Sequence, residues 1–510
     1  MIPPLTGSFL TLADALEAAA DQHGARTAFV DTATGERLSF AEWHGRADAL
    51  AKTLVEHGVK PGTVVAIMLP TSIDYAIGYG AITLAGAVAT GLNVRLGDRE
   101  ISSILERAQP TAVLLDRQAF TVMPPGGTAL VERSELTTRS DGRALGDRRP
   151  QRDPSDAAVI IWTSGTTGIP KGAWFDHDNL AAAVASAGVM SNPYDVKLVG
   201  TPFPHAGYMA KIWDQLAWGT TIVIAPTPWR ASDMLRLLEV ERITVAGGVP
   251  TQWTKLLEEP GLATAALSHL RLGVVATAPA APELIRHVTA AIGCPLVVRY
   301  AMTESPSITG TDPEDSPEVQ SSTVGRPQSG VEIQLADAEG APVAPSDIGR
   351  VRVRGACVMR GYWGEPELTA ATLGADGWLT SSDLGRFDGD GNLVLVGRTT
   401  DMYIRGGYNV YPLEVENVLA EHPGVLRAAV VGSPAPVIGE IGVAFVTPAE
   451  PDHPPALAEL RAWVAERLAD YKSPDRLVVL DALPQTAMMK VDKAELSRLA
   501  AATMDTRGRD

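Results

Sequence analysis

The sequence predicts an α/β fold, in which a large multi-layer α/β domain with a β-rich section precedes a small α+β domain. Three observations predict it. Helical patterns alternate with short apolar runs between residues 10 and 130, the signature of layered parallel strands. A β-rich stretch follows Val331, and a compact set of strand and helix patterns closes the chain. At 510 residues the chain is too long for one ordinary hydrophobic core.

Leu12 to Asp21 is rich in Ala and Leu and reads as a helix, and Ala28 to Val30 as a strand. Ala41 to His57 is helical again, and Val64 to Leu69 is a buried strand stopped by Pro70. Arg133 to Asp156 is polar and without period, which predicts a surface connection. Ala157 to Thr163 is a buried strand that runs into a glycine-rich loop. Thr221–Ile224, Leu272–Ala276 and Leu296–Tyr300 continue the strand pattern, and the acidic, Pro-bearing Thr311 to Ser322 predicts an exposed loop. Val331–Leu335, Arg350–Arg354 and Leu393–Gly397 form the β-rich section. Pro412 to Ala420 starts a helix, and Ala428–Val431, Gly442–Thr447, Leu457–Leu468 and Arg476–Leu480 make a βαβ-like unit. That unit is large enough for a separate domain of about 100 residues. Residues 502–510 are expected to fray, and no internal repeat is present.

A net charge of −17 argues against a general nucleic-acid binder, so any positive charge that holds a nucleotide must be local. Cys294 and Cys357 make no disulfide framework and have no metal-ligand spacing, which suits a reducing compartment. The N-terminal residues lack the basic and apolar stretches of a signal peptide, and no apolar run approaches the roughly 20 residues of a membrane span. The cytoplasm is the expected location.

The strongest local signal is Thr163-Ser164-Gly165-Thr166-Thr167-Gly168-Ile169-Pro170-Lys171-Gly172. Its glycines expose backbone N–H groups, its hydroxyls add donors and Lys171 adds charge, so the loop can converge on a polyphosphate. The Walker A spacing is absent. A polar turn after a strand is the bland alternative.

This stretch resembles the signature loop of the ANL superfamily of adenylate-forming enzymes, which holds acyl-CoA synthetases, peptide-synthetase adenylation domains and luciferases. The likeness continues in order along nearly the whole chain. Tyr300-Ala301-Met302-Thr303-Glu304 resembles the superfamily's Tyr-Gly-Met-Thr-Glu, and Trp378 to Asp383 its ribose-binding segment, with Ser-Ser-Asp where Thr-Gly-Asp is usual. Gly397-Arg398, Asp401 and Gly406 to Glu416 resemble the hinge and the start of the small domain, and Pro484 to Lys490 the terminal lysine motif. The resemblance implies a large AMP-binding domain over 1–398, a hinge at 399–401 around Thr400, and a mobile lid over 402–510. It also carries a general likeness to ligases of actinobacterial diterpenoid biosynthesis.

The implied chemistry is attack of a carboxylate on the α-phosphorus of ATP, then attack of a thiol on the acyl-AMP. The first step joins two anions, so cations and oriented donors must do most of the work. By resemblance, Thr163, Ser164, Gly165, Thr166, Thr167, Gly168 and Lys171 hold the phosphates. Tyr300 flanks adenine, Asp383 binds the ribose hydroxyls and Arg398 supports ribose or phosphate. Thr303 touches the α-phosphate, Glu304 holds Mg²⁺ beside it, and Lys490 bridges carboxylate and phosphate. His205 falls where acyl-CoA ligases often carry a gate histidine. Amino-acid-activating relatives place an Asp in this segment, and none is present here. Taken singly, Tyr300 could be core, Asp383 a helix cap and Arg398 an ion-pair partner. Val245 to Pro250, with Gly247 and Gly248, and Ala276-Thr277-Ala278-Pro279 resemble acyl-pocket segments. They are small or apolar, with no charge for a polar tail, and leave room for a bulky hydrophobic acid.

Two departures stand out. Met489 replaces the glycine before the terminal lysine, which costs about 1–2 kcal/mol if that position uses a left-handed conformation. Thr400 replaces the usual hinge Asp or Lys. The Gly406-Gly407 strand, which in relatives lines the thiol tunnel, is retained. The leading expectation is an acid:CoA ligase using ATP, Mg²⁺ and coenzyme A. The alternatives are a thioesterification-only ligase fed acyl-AMP by a separate adenylating partner enzyme, loading of a carrier protein, or a nucleotide- or acyl-binding sensor. Arg405, Lys472 and Arg476 are candidate contacts to coenzyme A, or simply charged surface.

Overall fold

The computed structural model of the chain describes residues 4–5, 9–136, 145, 149–163, 170–276, 282–486 and 490–505. Four sheets organise them. The first has nine strands, in the order Arg326–Pro327, Ser305–Gly310, Leu296–Met302, Leu272–Ala276, Val245–Gly248, Val196–Val199, Thr221–Ile224, Thr27–Asp31 and Arg37–Ser39. Its interior strands are parallel and antiparallel strands close both edges. The second has seven strands, running from Gly361–Tyr362 through Lys171–Asp176, Ala157–Thr163, Val88–Gly91, Val64–Met68 and Ala112–Leu115 to Ala129–Glu132. A four-stranded antiparallel sheet joins Val331–Ala336, Gly349–Gly355, Leu379–Phe387 and Leu393–Arg398. The five-stranded fourth sheet uses Tyr408–Val410, Tyr403–Arg405, Gly439–Pro448, Val425–Ala435 and Arg476–Val479.

Local chemistry explains where the first helices begin. Leu12–His23 and Phe40–Glu56 each start with a capping box, Thr11 with Asp14 and Ser39 with Glu42. Every residue of helix Ile73–Leu84 is buried, as expected of a helix that is apolar all round. It contributes to the largest core, where Trp43, Tyr75, Tyr79, Phe203 and Tyr208 pack between strands of the first two sheets. The fourth sheet keeps cores of its own, around Tyr403, Val415 and Phe445. The chain is thus a large N-terminal α/β domain with a small C-terminal one.

Three expectations need correction. Within the predicted connection, Arg133–Leu136 is a helical turn whose Arg133 donates to Asp74 (2.7 Å) and Asp116 (2.8 Å), which ties it to the large core. The predicted exposed loop contains helix Pro317–Ser322, capped by Ser316, with Gln320 and Ser321 buried. The expected frayed tail is helical as far as Asp505, in helix Lys493–Asp505, because Leu496 and Ala500 pack under the fourth sheet. Among the described residues, no helix is long and apolar enough to cross a membrane.

Candidate active site

Strand Ala157–Thr163 pairs antiparallel with Lys171–Asp176, and Thr163 stands opposite Lys171. The predicted phosphate loop is therefore the link of a hairpin. Ser164, Gly165, Thr166, Thr167 and Gly168 lie outside the described residues, as do Thr277, Ala278, Pro279 and Met489. Gly172 has no room for a Cβ, which would stand 2.8 Å from Ile160 and close to the Trp162 ring. Lys171 then holds its ammonium 5.7 Å from the centre of the Tyr362 ring.

Tyr362 ties that loop to the second motif. Its hydroxyl donates to Glu304 Oε1 at 2.7 Å, and burial followed by the Glu304 charge raises its pKa. Thr303 and Glu304 form the tight turn between strands Leu296–Met302 and Ser305–Gly310, and Met359 N–H pins the Glu304 carbonyl at 2.9 Å. Residues far apart in sequence, 171, 304 and 362, thus share one corner. Sequence reasoning missed Tyr362, whose segment carries no motif.

Tyr300, at the end of the same strand, is buried and donates its hydroxyl to Asp383 Oδ2 at 2.6 Å. The other oxygen of Asp383 accepts from Arg398 Nε at 2.7 Å. Asp383 and Arg398 are cross-strand partners in the third sheet, so register alone puts them side by side. Burial and the neighbouring carboxylate push the Tyr300 phenol well above its ordinary pKa, so it stays a donor. A carboxylate offers about four acceptor sites, and two remain after Tyr300 and Arg398.

His205 caps the short helix Ala206–Met209. Its Nε2 lies 2.9 Å from Asn93 Nδ2, while Asn93 Oδ1 accepts from Arg95 N–H at 3.0 Å. An amide nitrogen can only donate, so Nε2 accepts and the ring proton sits on Nδ1. Burial, then the charge of Lys490, lowers the imidazole pKa to about 4, and the ring is neutral at pH 7. Asn93 is a second residue that no sequence signal marks.

Lys490 accepts at its carbonyl from the Thr486 N–H at 2.8 Å. Solvent reaches the residue. The surrounding protein and then the charge of Arg398 lower its pKa, while Asp383 opposes them. Lys490 therefore shares one locality with His205, Asp383 and Arg398. Gly406 (φ 57°) and Gly407 (φ 87°) turn the hairpin between Tyr403–Arg405 and Tyr408–Val410, with open space where a Gly407 Cβ would stand. Among the described residues, no hydrogen bond links this turn to the Lys490 locality. Thr400 donates to Asp401 Oδ1 at 3.0 Å, just after Arg398.

Two of the basic residues considered for coenzyme A are already paired. Arg405 makes a two-pronged bond to Asp475 at 2.6 and 2.9 Å, and Lys472 donates to Glu414 at 2.6 Å. Gly247 and Gly248 end a strand beside Leu272–Ala276, which puts Ala276 at the strand terminus where the acyl pocket was expected.

The profile of AMP-binding enzymes matches residues 16–363, and that of the AMP-binding enzyme C-terminal domain matches residues 414–490. A feruloyl-CoA synthase of Amycolatopsis sp is 35% identical over 474 residues, covering 91% of this chain and 94% of that protein. A 3-[(3aS,4S,7aS)-7a-methyl-1,5-dioxo-octahydro-1H-inden-4-yl]propanoyl:CoA ligase of Rhodococcus jostii (strain RHA1) is 33% identical over 520 residues, covering 95% of this chain and 97% of that one. Among solved structures, ATP-bound MatB from Rhodopseudomonas palustris superposes with a TM-score of 0.88 at 29% identity, covering 96% of this chain and 98% of that one. The chain belongs to the AMP-binding enzyme family, the adenylate-forming acid–thiol ligases of the ANL superfamily.

Proposed function

We propose that the chain is an acid:CoA ligase that activates a carboxylic acid with a hydrophobic body as acyl-AMP and passes the acyl group to coenzyme A. The observation that carries the reading is the meeting of Lys490 with Asp383, Arg398 and His205, from segments of both domains. Two anions, carboxylate and α-phosphate, must approach each other, and Lys490 and Arg398 supply positive charge for that encounter. A carboxylate oxygen forms the bond to the α-phosphorus, the bond to pyrophosphate breaks, and acyl-AMP results. The thiol then attacks the acyl carbon and AMP leaves.

In this reading Tyr300 flanks adenine, and Asp383 uses its two remaining acceptor sites for the ribose diol. Thr163, the loop of Ser164, Gly165, Thr166, Thr167 and Gly168, and Lys171 cradle the phosphates, with Thr303 at the α-phosphate. Neutral His205 borders the acid and donates through Nδ1 without competing with Lys490 for the carboxylate. Magnesium fits this corner: a nucleotide-bound Mg²⁺ needs only one or two protein carboxylates, and Glu304 bonds Tyr362 through one oxygen. Glu304 would hold the ion, which would neutralise charge on the phosphates. Gly406 and Gly407 would border the pantetheine path. The domain limits we propose are 1–398 and 402–510, about a hinge at Thr400. The position of Lys490 favours an enzyme competent in adenylation over one confined to the thiol step.

The test is to incubate the chain with a panel of acids, ATP and coenzyme A and to separate acyl-AMP from acyl-CoA by mass spectrometry. Acyl-AMP without coenzyme A, chased to acyl-CoA on its addition, is the expected result. Neither product from any acid would overturn the reading.

A further inference from the structure

The sheet face that carries the expected acyl pocket also carries a cation that makes no ion pair among the described residues. Register sets Gly247 opposite Val274, Val274 opposite Val297, and Ala276 opposite Arg299. Side chains alternate along a strand and paired residues share a face, so all five project the same way. Val245, Leu272, Val274 and Val297 pack there with Val189 and Met190 into an apolar wall. Beside Gly247 the space is open, with no atom of the described residues within 4 Å of the place a Cβ would take.

Arg299 lies one residue before Tyr300 on this face. Its side chain passes over Gly310, where any Cβ would collide with the guanidinium, so glycine gives it passage. Its Nε is buried without a hydrogen-bond partner, and among the described residues the side chain makes no ion pair. Asp312 acts on it only at a distance, and burial lowers its pKa to about 10. The ammonium of Lys211, just before helix Ile212–Trp218, also makes no hydrogen bond or ion pair among the described residues. Burial lowers its pKa, Asp214 is the main charge opposing that, and Lys197 and Arg299 add to the lowering. Asp214 shares its Oδ2 between Lys197 Nζ at 3.1 Å and Ser191 Oγ at 2.7 Å, while its Oδ1 makes no hydrogen bond to Lys211.

Buried cations are costly unless an anion joins them. In a chain with 60 acidic residues, a guanidinium with no ion pair among the described residues, beside an ammonium whose acid is shared with Lys197, is a specific arrangement. We propose that Arg299 and Lys211 receive a second carboxylate at the far end of the acid, so that the substrates are hydrophobic acids carrying a carboxylate at each end. This rests on the acid:CoA ligase reading above. Arg299 and Met302 are three strand residues apart, roughly 10 Å, and Thr303 follows. A body on the order of 10 Å long therefore separates the reacting carboxylate from the distal one.

Decanedioate, decanoate and 9-oxodecanoate test the inference in a pyrophosphate-release assay with the full chain. The parent should prefer decanedioate over decanoate in kcat/KM, chiefly through KM. Arg299→Met should lower that preference by about 10- to 100-fold, as loss of a charge-assisted contact requires. Lys211→Met should lower it in the same direction, and Arg299→Lys should restore part of it. Melting temperatures of the variants at or above the parent's would accompany the removal of an unpaired buried cation. A ratio of the two acids unmoved in both Met variants overturns the inference and leaves the ligase reading standing. Equal use of 9-oxodecanoate and decanedioate by the parent overturns it in favour of a neutral acceptor. Pyrophosphate release with none of the three acids counts against both readings.

Discussion

Asp383 offers the sharpest quantitative test, because its two oxygens have assigned partners before any nucleotide arrives. Tyr300 and Arg398 each take one lone pair, at 2.6 and 2.7 Å, which leaves about two acceptor sites for a ligand. Two ribose hydroxyls bound there would each be worth about 1.5–3 kcal/mol as charge-assisted bonds. Their joint loss in Asp383→Ala, allowing for non-additivity, should weaken AMP binding by about 3 kcal/mol or more, some hundredfold. The same substitution strands the buried Tyr300 hydroxyl, an expected cost of about 1–3 kcal/mol in stability. Asp383→Asn separates the two effects. It keeps the shape and one acceptor, so most of the stability should return while binding stays about tenfold weak. Calorimetry with AMP, beside thermal melts of the free proteins, reads both quantities. AMP affinity within twofold of the parent in a folded Asp383→Ala would remove Asp383 from the nucleotide site.

Lys490→Ala should abolish pyrophosphate release while sparing thioester formation from synthetic acyl-AMP, and Gly407→Leu should do the reverse; equal losses in both assays for either variant would refute the division. Glu304→Gln should weaken the Mg²⁺ dependence of adenylation with the fold intact, and an unchanged Mg²⁺ titration would count against its role. The pH dependence of stability tests the buried histidines. His177 accepts from Leu12 N–H at 3.1 Å through Nδ1, and burial, then Arg152, lowers its pKa to about 4. Between pH 6.5 and about 4 the unfolded chain takes up a proton at this site that the folded chain refuses, so stability falls as pH falls, by about 1.4 kcal/mol per pH unit. His177→Gln should flatten the melting temperature between pH 7 and pH 5 relative to the parent; an unchanged slope would show that His177 is not what titrates.

Most of the candidate site was legible because the phosphate loop, the Tyr300–Glu304 turn and the Asp383 and Arg398 strands each carry their chemistry in short contiguous runs. What held those runs in place was not legible. Tyr362 reaches Glu304 and Asn93 reaches His205 across 58 and 112 residues, and pairing at that separation leaves no mark in one sequence. Arg299 was hidden differently: the pocket segments Val245–Pro250 and Ala276–Pro279 are uncharged, and only cross-strand register brings a guanidinium beside Ala276. The helix at Pro317–Ser322 was in fact written locally. Ser316 as cap with proline at the first turn is a helix start, but the surrounding acidic residues looked like a loop.

On the proposed reading the small domain presents Lys490 for one half-reaction and Gly407 for the other, so neither arrangement can be held too firmly. One contact across the two domains suits that requirement. Arg427, on strand Val425–Ala435, donates to Thr251 Oγ1 at 3.1 Å, and burial lowers its pKa. A guanidinium given one neutral hydroxyl recovers little of the cost of leaving water. Replacing Thr251 by an acid at this point would make a strong ion pair and a strong hold on the Lys490 arrangement. The hydroxyl instead leaves the contact near balance, where a ligand worth a few kcal/mol in differential affinity can shift the population from one arrangement to the other. On that reading, acyl-AMP formation would remove the carboxylate charge that Lys490 faces and release pyrophosphate, so the attraction holding the lysine there would fall as the first product forms. The chemistry of the first step would thereby weaken the arrangement that performed it.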